Sequence, residues 1–354
     1  MRWLLLGLLL LPSVAEAVDL ELVSRSPELE GLQVQRPVWA PGERPRLVHE
    51  ASDRSRRSIL RVVTFGTDPV VVPAARGSRL AALGVGSDRA DAGAAWWDGA
   101  GFFFVRSASG SVSGHYWDGV LRDLANPAGR PVTMTPFDGG LLVTMEDADG
   151  LDLFRFGGTD LATAPVRLTR TREGVEHSVT PRGDGVVFIE TTRERTRLQR
   201  FDGDAVVAID LPVADELLAL SALPDGRLLA WARRADRANH ALLLIDLART
   251  EVTTLITDGF LPPGLAPRPA VSPSGWIYYV RADADAGNPV VRLRLDGASE
   301  TLTLATSGHQ EVAVGSYPGP GGAVDWIAVV AVGDVDGDDV ANHLFVGAVD
   351  GGTQ

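Results

Sequence analysis

The sequence contains no cysteine, and all 33 of its basic residues are arginine because it has no lysine either. Without cysteine the chain has no disulfide scaffold, thiolate metal site, attached haem or cysteine nucleophile. Without lysine it has no Schiff-base chemistry and no phosphate-binding lysine of a P-loop. The formal net charge of −13 over 354 residues argues against general nucleic-acid binding, which depends on neutralising phosphates.

The N-terminus has the pattern of a secretory signal peptide. Residues 1–2 give a short positive start, residues 3–11 are apolar, and residues 15–17 (Ala-Glu-Ala) fit an A-x-A cleavage site. We therefore expect a signal peptide at 1–17, a mature domain at 18–354 and a periplasmic or secreted location. A retained N-terminal anchor is the alternative. No later run approaches about 18 uninterrupted apolar residues, so no membrane span is expected after cleavage.

A short apolar strand, a turn rich in Pro, Asp and Gly, and a second apolar strand recur along the chain. Proline presets φ, aspartate binds the local backbone and glycine accepts a positive φ, so each turn predicts a tight hairpin. Two further strand-like segments follow most copies, which gives four antiparallel strands in roughly 45 residues, the size of a propeller blade. Seven segments carry the turn: 40–43, 97–102, 135–143, 180–189, 223–231, 271–280 and 317–322.

The last unit is one strand short, while one strand is left over at the start. The seventh unit supplies strands at 311–314, 325–332 and 343–349, and residues 19–23 precede the first unit. Pairing this leading strand with the last unit would close a ring and remove an exposed edge. The sequence therefore predicts an all-β fold, a single β-propeller of seven four-stranded blades closed by the N-terminal strand. Six blades are the alternative, since the interval between the first two turns is long and irregular. A β-sandwich or a pair of barrels is a further one.

The best copies of the repeat also carry a family resemblance. Residues 268–278 (RPAVSPSGWIY) and 35–42 (QRPVWAPG) resemble the WD-like repeats of the TolB family of periplasmic proteins. The resemblance covers nearly all of 18–354 but is specific only to the repeat type. It implies a β-propeller of a kind found in periplasmic scaffolds, in propellers attached to peptidases and in some polysaccharide lyases. The chain has no recognisable N-terminal α/β domain like that of TolB, so TolB's particular partners do not carry over.

Ionisable residues fall at the start of the innermost strand of several units. Groups that converge near the axis can bind a small anion or a sugar acid, and a His/Glu pair can transfer protons. They are predicted ligand-binding residues at the channel mouth, with structural ion pairs between blades as the alternative. These residues are Arg36, Arg130, Glu176, His177 and Arg268, with Glu311 and His309 aligned less closely.

The hairpins between the second and third strands differ in length and charge, so their face is the better candidate for recognition. They are acidic in units 3, 6 and 7 and arginine-rich in units 1, 4 and 5, which suits docking of a protein. Solvated tips without a function are the alternative. Asp334, Asp336 and Asp338 surround a glycine in unit 7 and are candidate calcium ligands. An EF-hand would need a glutamate where Phe345 stands, and a plain acidic hairpin is the alternative.

Sequence motifs of enzymes are missing. The chain has no Gly-x-Ser-x-Gly elbow, dinucleotide or P-loop fingerprint or His-Glu-x-x-His motif. We therefore predict an exported, non-catalytic β-propeller that acts as a protein-interaction scaffold in a bacterial envelope complex, with a protein partner there and no cofactor beyond the candidate calcium. The alternative is a carbohydrate- or small-anion-binding or lyase-type propeller with its site at the channel mouth.

Overall fold

The structure, a computed structural model, describes most of the chain. Within the described residues every regular element is a β-strand, and no helix in them is long and apolar enough to cross a membrane. The described ranges are 17–24, 33–52, 57–65, 70–73, 90–124, 129–146, 150–158, 164–170, 174–183, 185–202, 205–211, 216–234, 238–263, 266–319, 321–333 and 341–349.

The described residues form thirty strands, which are joined by turns and connections. They are β1 (Ala17–Val18), β2 (Glu21–Ser24), β3 (Gln33–Trp39), β4 (Arg46–Ser52), β5 (Ser58–Thr64), β6 (Val70–Val71), β7 (Ala90–Trp96), β8 (Phe102–Ala108), β9 (Ser111–Trp117), β10 (Leu121–Asp123), β11 (Arg130–Phe137), β12 (Gly140–Glu146), β13 (Leu151–Phe156), β14 (Val166–Arg167), β15 (Val175–Arg182), β16 (Gly185–Thr191), β17 (Thr196–Phe201), β18 (Val206–Ile209), β19 (Glu216–Ala222), β20 (Leu228–Arg233), β21 (His240–Asp246), β22 (Glu251–Gly259), β23 (Ala270–Val271), β24 (Ile277–Val280), β25 (Val290–Leu293), β26 (Ser299–Thr301), β27 (Thr303–Leu304), β28 (His309–Gly319), β29 (Gly322–Gly333) and β30 (Ala341–Val349).

Hydrogen bonding arranges 28 of these strands in seven antiparallel groups of four, which we number as blades 1 to 7, and β1 and β27 form a separate parallel pair. Blades 1 to 6 consist of β3–β6, β7–β10, β11–β14, β15–β18, β19–β22 and β23–β26, and blade 7 consists of β28, β29, β30 and β2. Single residue pairs, Ser58 with Ala90 and Leu151 with Val175, join blades 1 and 2 and blades 3 and 4 into continuous sheets.

Local sequence explains why these segments form hairpins of buried strands. In blade 5 the turn before β20 places Gly226 at φ 82, and its N–H donates to the carbonyl of Leu223 at 2.9 Å. Because glycine has no Cβ, it adopts this positive φ without steric strain. The strand that follows, Leu-Leu-Ala-Trp-Ala-Arg, is buried on both faces except for its last residue, Arg233. A strand covered on both sides needs such an uninterrupted apolar run.

Seven hydrophobic clusters lie between neighbouring blades and close them into a ring. Leu220 packs with Ile189 between blades 5 and 4, for example. The other clusters link blades 1 and 2, 2 and 3, 3 and 4, 5 and 6, 6 and 7, and finally 7 and 1. The buried apolar surface therefore lies mainly between the blades, and each blade depends on both of its neighbours.

The N-terminal strand completes blade 7. Strand β2 pairs antiparallel with β30, with Leu22 opposite Phe345, and β1 pairs in parallel with β27. A Cβ on Gly347 would lie 2.5 Å from the carbonyl oxygen of Asp19, so the close approach of the two segments requires glycine. The predicted all-β propeller and its closure are confirmed, although the closing strand begins at Glu21 and β1 was not expected. The blade number stays a prediction, with which the seven groups agree.

The predicted signal peptide lies outside the described residues except for its last residue, Ala17. It therefore stays a prediction. Val18, which would follow the cleavage site, is buried between blades 6 and 7.

Candidate functional site

One face of the ring carries the hairpins between second and third strands together with the connections from each blade to the next. We call it the connection face. Here, where the innermost strands begin, a cavity of about 370 Å³ opens between blades 6, 7, 1 and 2. Arg36, Glu50, Gly93, Arg268 and Glu311 are among its lining residues, and we call it the channel cavity.

Irregular backbone in the innermost strands shapes the channel cavity. The pairing of β3 with β4 shifts between Gln35 and Val38, and within this bulge Arg36 has a φ of 52°. The bulges of β7 and β15 place Gly93 and Ser178 in the same left-handed region. This conformation costs a non-glycine residue roughly 1–2 kcal/mol. It turns the backbone N–H groups at positions 36 and 93 toward carboxylates of the preceding blades.

Two buried carboxylates bind these N–H groups and tie three blades together. The Arg36 N–H donates to Glu311 Oε2 at 2.8 Å, which joins blade 1 to blade 7. The Gly93 N–H donates to Glu50 Oε1 at 3.0 Å, which joins blade 2 to blade 1. The Arg36 guanidinium lies between them, with Nη1 at 3.1 Å from Glu50 Oε2. The network therefore spans the junction at which the ring closes.

Burial makes both carboxylates weak acids. It raises the pKa of Glu311 to about 7; the Arg36 N–H and guanidinium oppose the rise, and the negative charge of Glu50 adds to it. Burial also raises the pKa of Glu50, against the charge of Arg36 and the hydrogen bond from Gly93. A carboxyl that loses its proton near neutral pH is suited to proton transfer as well as to structural hydrogen bonding.

The cations of the channel cavity, unlike its carboxylates, reach solvent. The Arg36 side chain is 43% exposed. Arg268 has exposed surface, yet burial of its guanidinium lowers the pKa of this group, which reaches from the start of blade 6 past blade 5 to blade 4. There its Nη2 donates to the carbonyl of Val179 at 2.6 Å, and its Nη1 lies 3.4 Å from Thr180 Oγ1. The channel cavity is thus lined by two arginines, one paired with Glu50 and the other bound to the backbone of blade 4.

The other predicted channel residues do not line this cavity. Arg130 is exposed and pairs with Glu146 on the adjacent strand at 3.4 Å. Glu176 is buried in β15. His177 Nε2 lies 3.0 Å from Thr191 Oγ1 within blade 4, and burial lowers the pKa of its imidazole. The structure thus brings together Arg36, Arg268 and the less closely aligned Glu311.

Glu50 was missed by the sequence analysis. It lies on β4 within the run Leu-Val-His-Glu-Ala, which is buried throughout. A charged residue inside such a run is the signal that was available, because charged groups are seldom fully buried unless they are paired.

The candidate calcium ligands Asp334, Asp336 and Asp338 lie outside the described residues. Among the residues that are described, no group of three or more His, Asp or Glu side chains is placed to hold a metal ion. Calcium binding therefore stays a prediction.

No family model and no curated protein sequence matches this chain. Solved structures do match it. A structure of YCF48 bound to a D1 peptide is similar over 96% of this chain and 97% of its own, with a TM-score of 0.60 and 11% identity. The shared feature is the β-propeller fold.

A puromycin-hydrolysing peptidase from Mycobacterium tuberculosis matches 87% of this chain at a TM-score of 0.55 and 14% identity, and this chain spans 52% of that peptidase. A TolB from Agrobacterium tumefaciens matches 66% of this chain and 83% of its own at a TM-score of 0.47 and 18% identity. The β-propeller fold that the repeats predicted is confirmed by the match to YCF48.

Proposed function

We propose that this chain is a non-catalytic β-propeller scaffold that binds a segment of a protein partner on its connection face. The observation that carries the proposal is the presence of two arginines, Arg36 and Arg268, in the lining of one cavity of about 370 Å³. Cavities of this size with a few convergent polar groups are typical of ligand sites. Two arginines favour an acidic group of the partner, because guanidinium and carboxylate form strong charge-assisted hydrogen bonds.

The comparisons support a peptide as the type of ligand. YCF48, similar over nearly the full length of both chains, carries a bound D1 peptide in its structure. The signal-peptide pattern at 1–17 supports an exported protein, so we place the partner in the bacterial cell envelope or outside the cell.

Capture of the partner from crosslinked envelope extracts tests the proposal. We compare the wild type with Arg268→Ala and with Arg249→Ala, a control in the β21–β22 turn whose side chain is 73% exposed. That turn lies on the opposite face of the ring. The wild type and Arg249→Ala should return the same partner, and Arg268→Ala should return on the order of tenfold less, the effect of one charge-assisted contact. Thermal melting confirms that each variant is folded. No reproducible partner, or equal capture by Arg268→Ala, contradicts the proposal.

A second candidate function is binding or lyase-type cleavage of an acidic carbohydrate in the same cavity. The observation that favours it is Glu311, whose pKa of about 7 suits an acid or base beside two guanidiniums. Thermal stabilisation by a uronate but not by the neutral sugar, lost in Arg268→Ala, would favour this candidate over the scaffold.

A further inference from the structure

A second cavity adjoins the channel cavity on the connection face. It has a volume of about 660 Å³ and lies between the β20–β21 hairpin of blade 5 and the connection that leads from β22 to blade 6. We call it the blade 5/6 cleft. Its lining includes Leu218, Arg233, His240, Phe260, Leu261 and Pro262. Ala266 lines both this cleft and the channel cavity, so the two spaces are neighbours across a single wall.

The blade 5/6 cleft has an apolar interior and a weakly charged rim. Leu261 belongs to the core between blades 5 and 6, and Leu218 packs against the same core. On the rim, burial and the charge of Arg233 lower the pKa of His240, so the imidazole is neutral at pH 7. The charge of Arg233 is shared with Glu216, whose Oε2 lies 3.2 Å from Nη1. Such a cleft favours an apolar side chain, because burial of apolar surface is its main source of binding free energy.

The wall between the two cavities is held in place. Its described parts are 260–263 and 266–269, four of whose eight residues are proline. The Phe260 N–H donates to the carbonyl of Val280 at 2.8 Å, and Gly259 forms a β-bridge with Arg281. At the other end, Arg268 is anchored on Val179. The prolines limit the torsional freedom of these described parts, which lowers the entropy they lose on binding.

From this geometry we infer that the blade 5/6 cleft is a binding site for a bulky apolar side chain of the partner segment whose acidic group occupies the channel cavity. The inference rests on the proposed function and specifies the partner. Its ligand is an extended peptide that carries a carboxylate and, a few residues away, an apolar anchor. Charge complementarity decides for this occupant, because Arg36 and Arg268, the latter a residue of the wall itself, both line the adjoining channel cavity.

Synthetic peptides of the form acetyl-Leu-(Gly)n-Asp-Asp-amide, with n from one to four, test the inference on the full chain by isothermal titration calorimetry. A matched series has serine in place of leucine. For the best spacer, we expect the leucine peptide to bind at least about tenfold more tightly than the serine peptide, the effect of burying one leucine side chain. Both peptides should lose affinity in Arg268→Ala.

A variant that fills the cleft separates it from the channel cavity. Ala238 is exposed and lines the cleft, so Ala238→Trp should reduce the leucine-to-serine ratio to about one without weakening the serine peptide. Ala248→Trp, at an exposed position in the turn on the opposite face, is the matched control and should keep the ratio of the wild type.

Each other result contradicts the inference. An unchanged ratio in Ala238→Trp rules out the cleft but leaves binding that depends on Arg268, and hence the proposed function, intact. If no peptide of either series binds the wild type, the inference fails, and the capture experiment decides the proposed function separately. A wild-type dimer in sedimentation velocity that Ala238→Trp dissociates would assign the cleft to a second copy of the chain.

Discussion

Replacing Glu311 with glutamine should stabilise the protein at alkaline pH and leave it nearly unchanged in acid. The folded state raises the pKa of this carboxyl from 4.5 to about 7, mainly by burial. Between these two values the folded chain binds a proton that the unfolded chain has released, so stability falls as pH rises through the window. The shift of about 2.5 units corresponds to about 3 kcal/mol of lost stability at pH 8.

Glutamine is a suitable replacement because its amide oxygen can still accept the N–H of Arg36. The difference in unfolding free energy between Glu311→Gln and the wild type should grow by about 2–3 kcal/mol from pH 5 to pH 8. Urea unfolding at several pH values, followed by the fluorescence of the 8 tryptophans, measures it. Glu251→Gln, at an exposed position on β22, is the control for the loss of one charge. A difference that is constant with pH, or that favours the wild type as pH rises, would refute the reasoning.

The quantity to compare is the difference in unfolding free energy between Glu311→Gln and the wild type, because His49 has the opposite effect on the pH dependence of wild-type stability. Burial, assisted by the charge of Arg61, lowers the pKa of His49 from 6.5 to about 4, against a hydrogen bond with the backbone of Glu50. His49 therefore costs stability as pH falls from 6.5 to 4, while Glu311 costs stability as pH rises from 4.5 to 7. The wild-type profile sums these two effects with those of other groups whose pKa values shift, such as Glu50 and His177, and hides each of them.

Two further substitutions test the closure of the ring and the junction beside it. Gly347→Ala places a Cβ 2.5 Å from the Asp19 carbonyl oxygen, so we expect the free energy of unfolding to fall by about 1–3 kcal/mol and the N-terminal strands to be proteolysed faster. Gly321→Ala is the control and should be neutral, because no atom lies within 4 Å of its Cβ. Equal melting temperatures of the two variants would contradict this account of closure. Tyr278→Phe removes a buried hydrogen bond of 2.9 Å from blade 6 to Asp325 of blade 7. Urea unfolding should therefore show a free energy of unfolding that is about 1–3 kcal/mol lower. An unchanged unfolding midpoint would contradict the importance of this contact.

Much of the fold follows from local chemistry and was therefore predictable. The turns around Gly226 and Gly275 need only their own residues to form, and both have the positive φ that the repeat pattern implies. The closure of the ring was predictable because the sequence has an extra strand before the first blade and one strand too few in the last blade. The two-residue parallel pair of β1 with β27 was not, since so short a pairing depends on the packing of Val18 between blades 6 and 7.

The candidate site was predictable only in part, because its geometry depends on contacts between blades. Arg36 and Arg268 do share one cavity, as their position at the start of innermost strands suggested. The role of Glu50 depends on the N–H of Gly93 in the next blade, which no pattern within β4 specifies. Arg130 lies before the bulge of its own strand, whereas Arg36 lies within one, and Arg130 pairs with Glu146 outside the cavity.

The channel cavity separates its charges by depth, and this separation connects stability with binding. The carboxylates of Glu50 and Glu311 lie inside, where they hold the bulged strands of blades 1 and 2 by their N–H groups. Because burial raises the pKa of Glu311 to about 7, this carboxyl adds little negative charge in slightly acidic solution to the cavity that Arg36 and Arg268 also line. The same residues that close the ring thus leave the cavity attractive to an acidic segment. A pair of exposed carboxylates at these positions would hold the bulges equally well but would repel it.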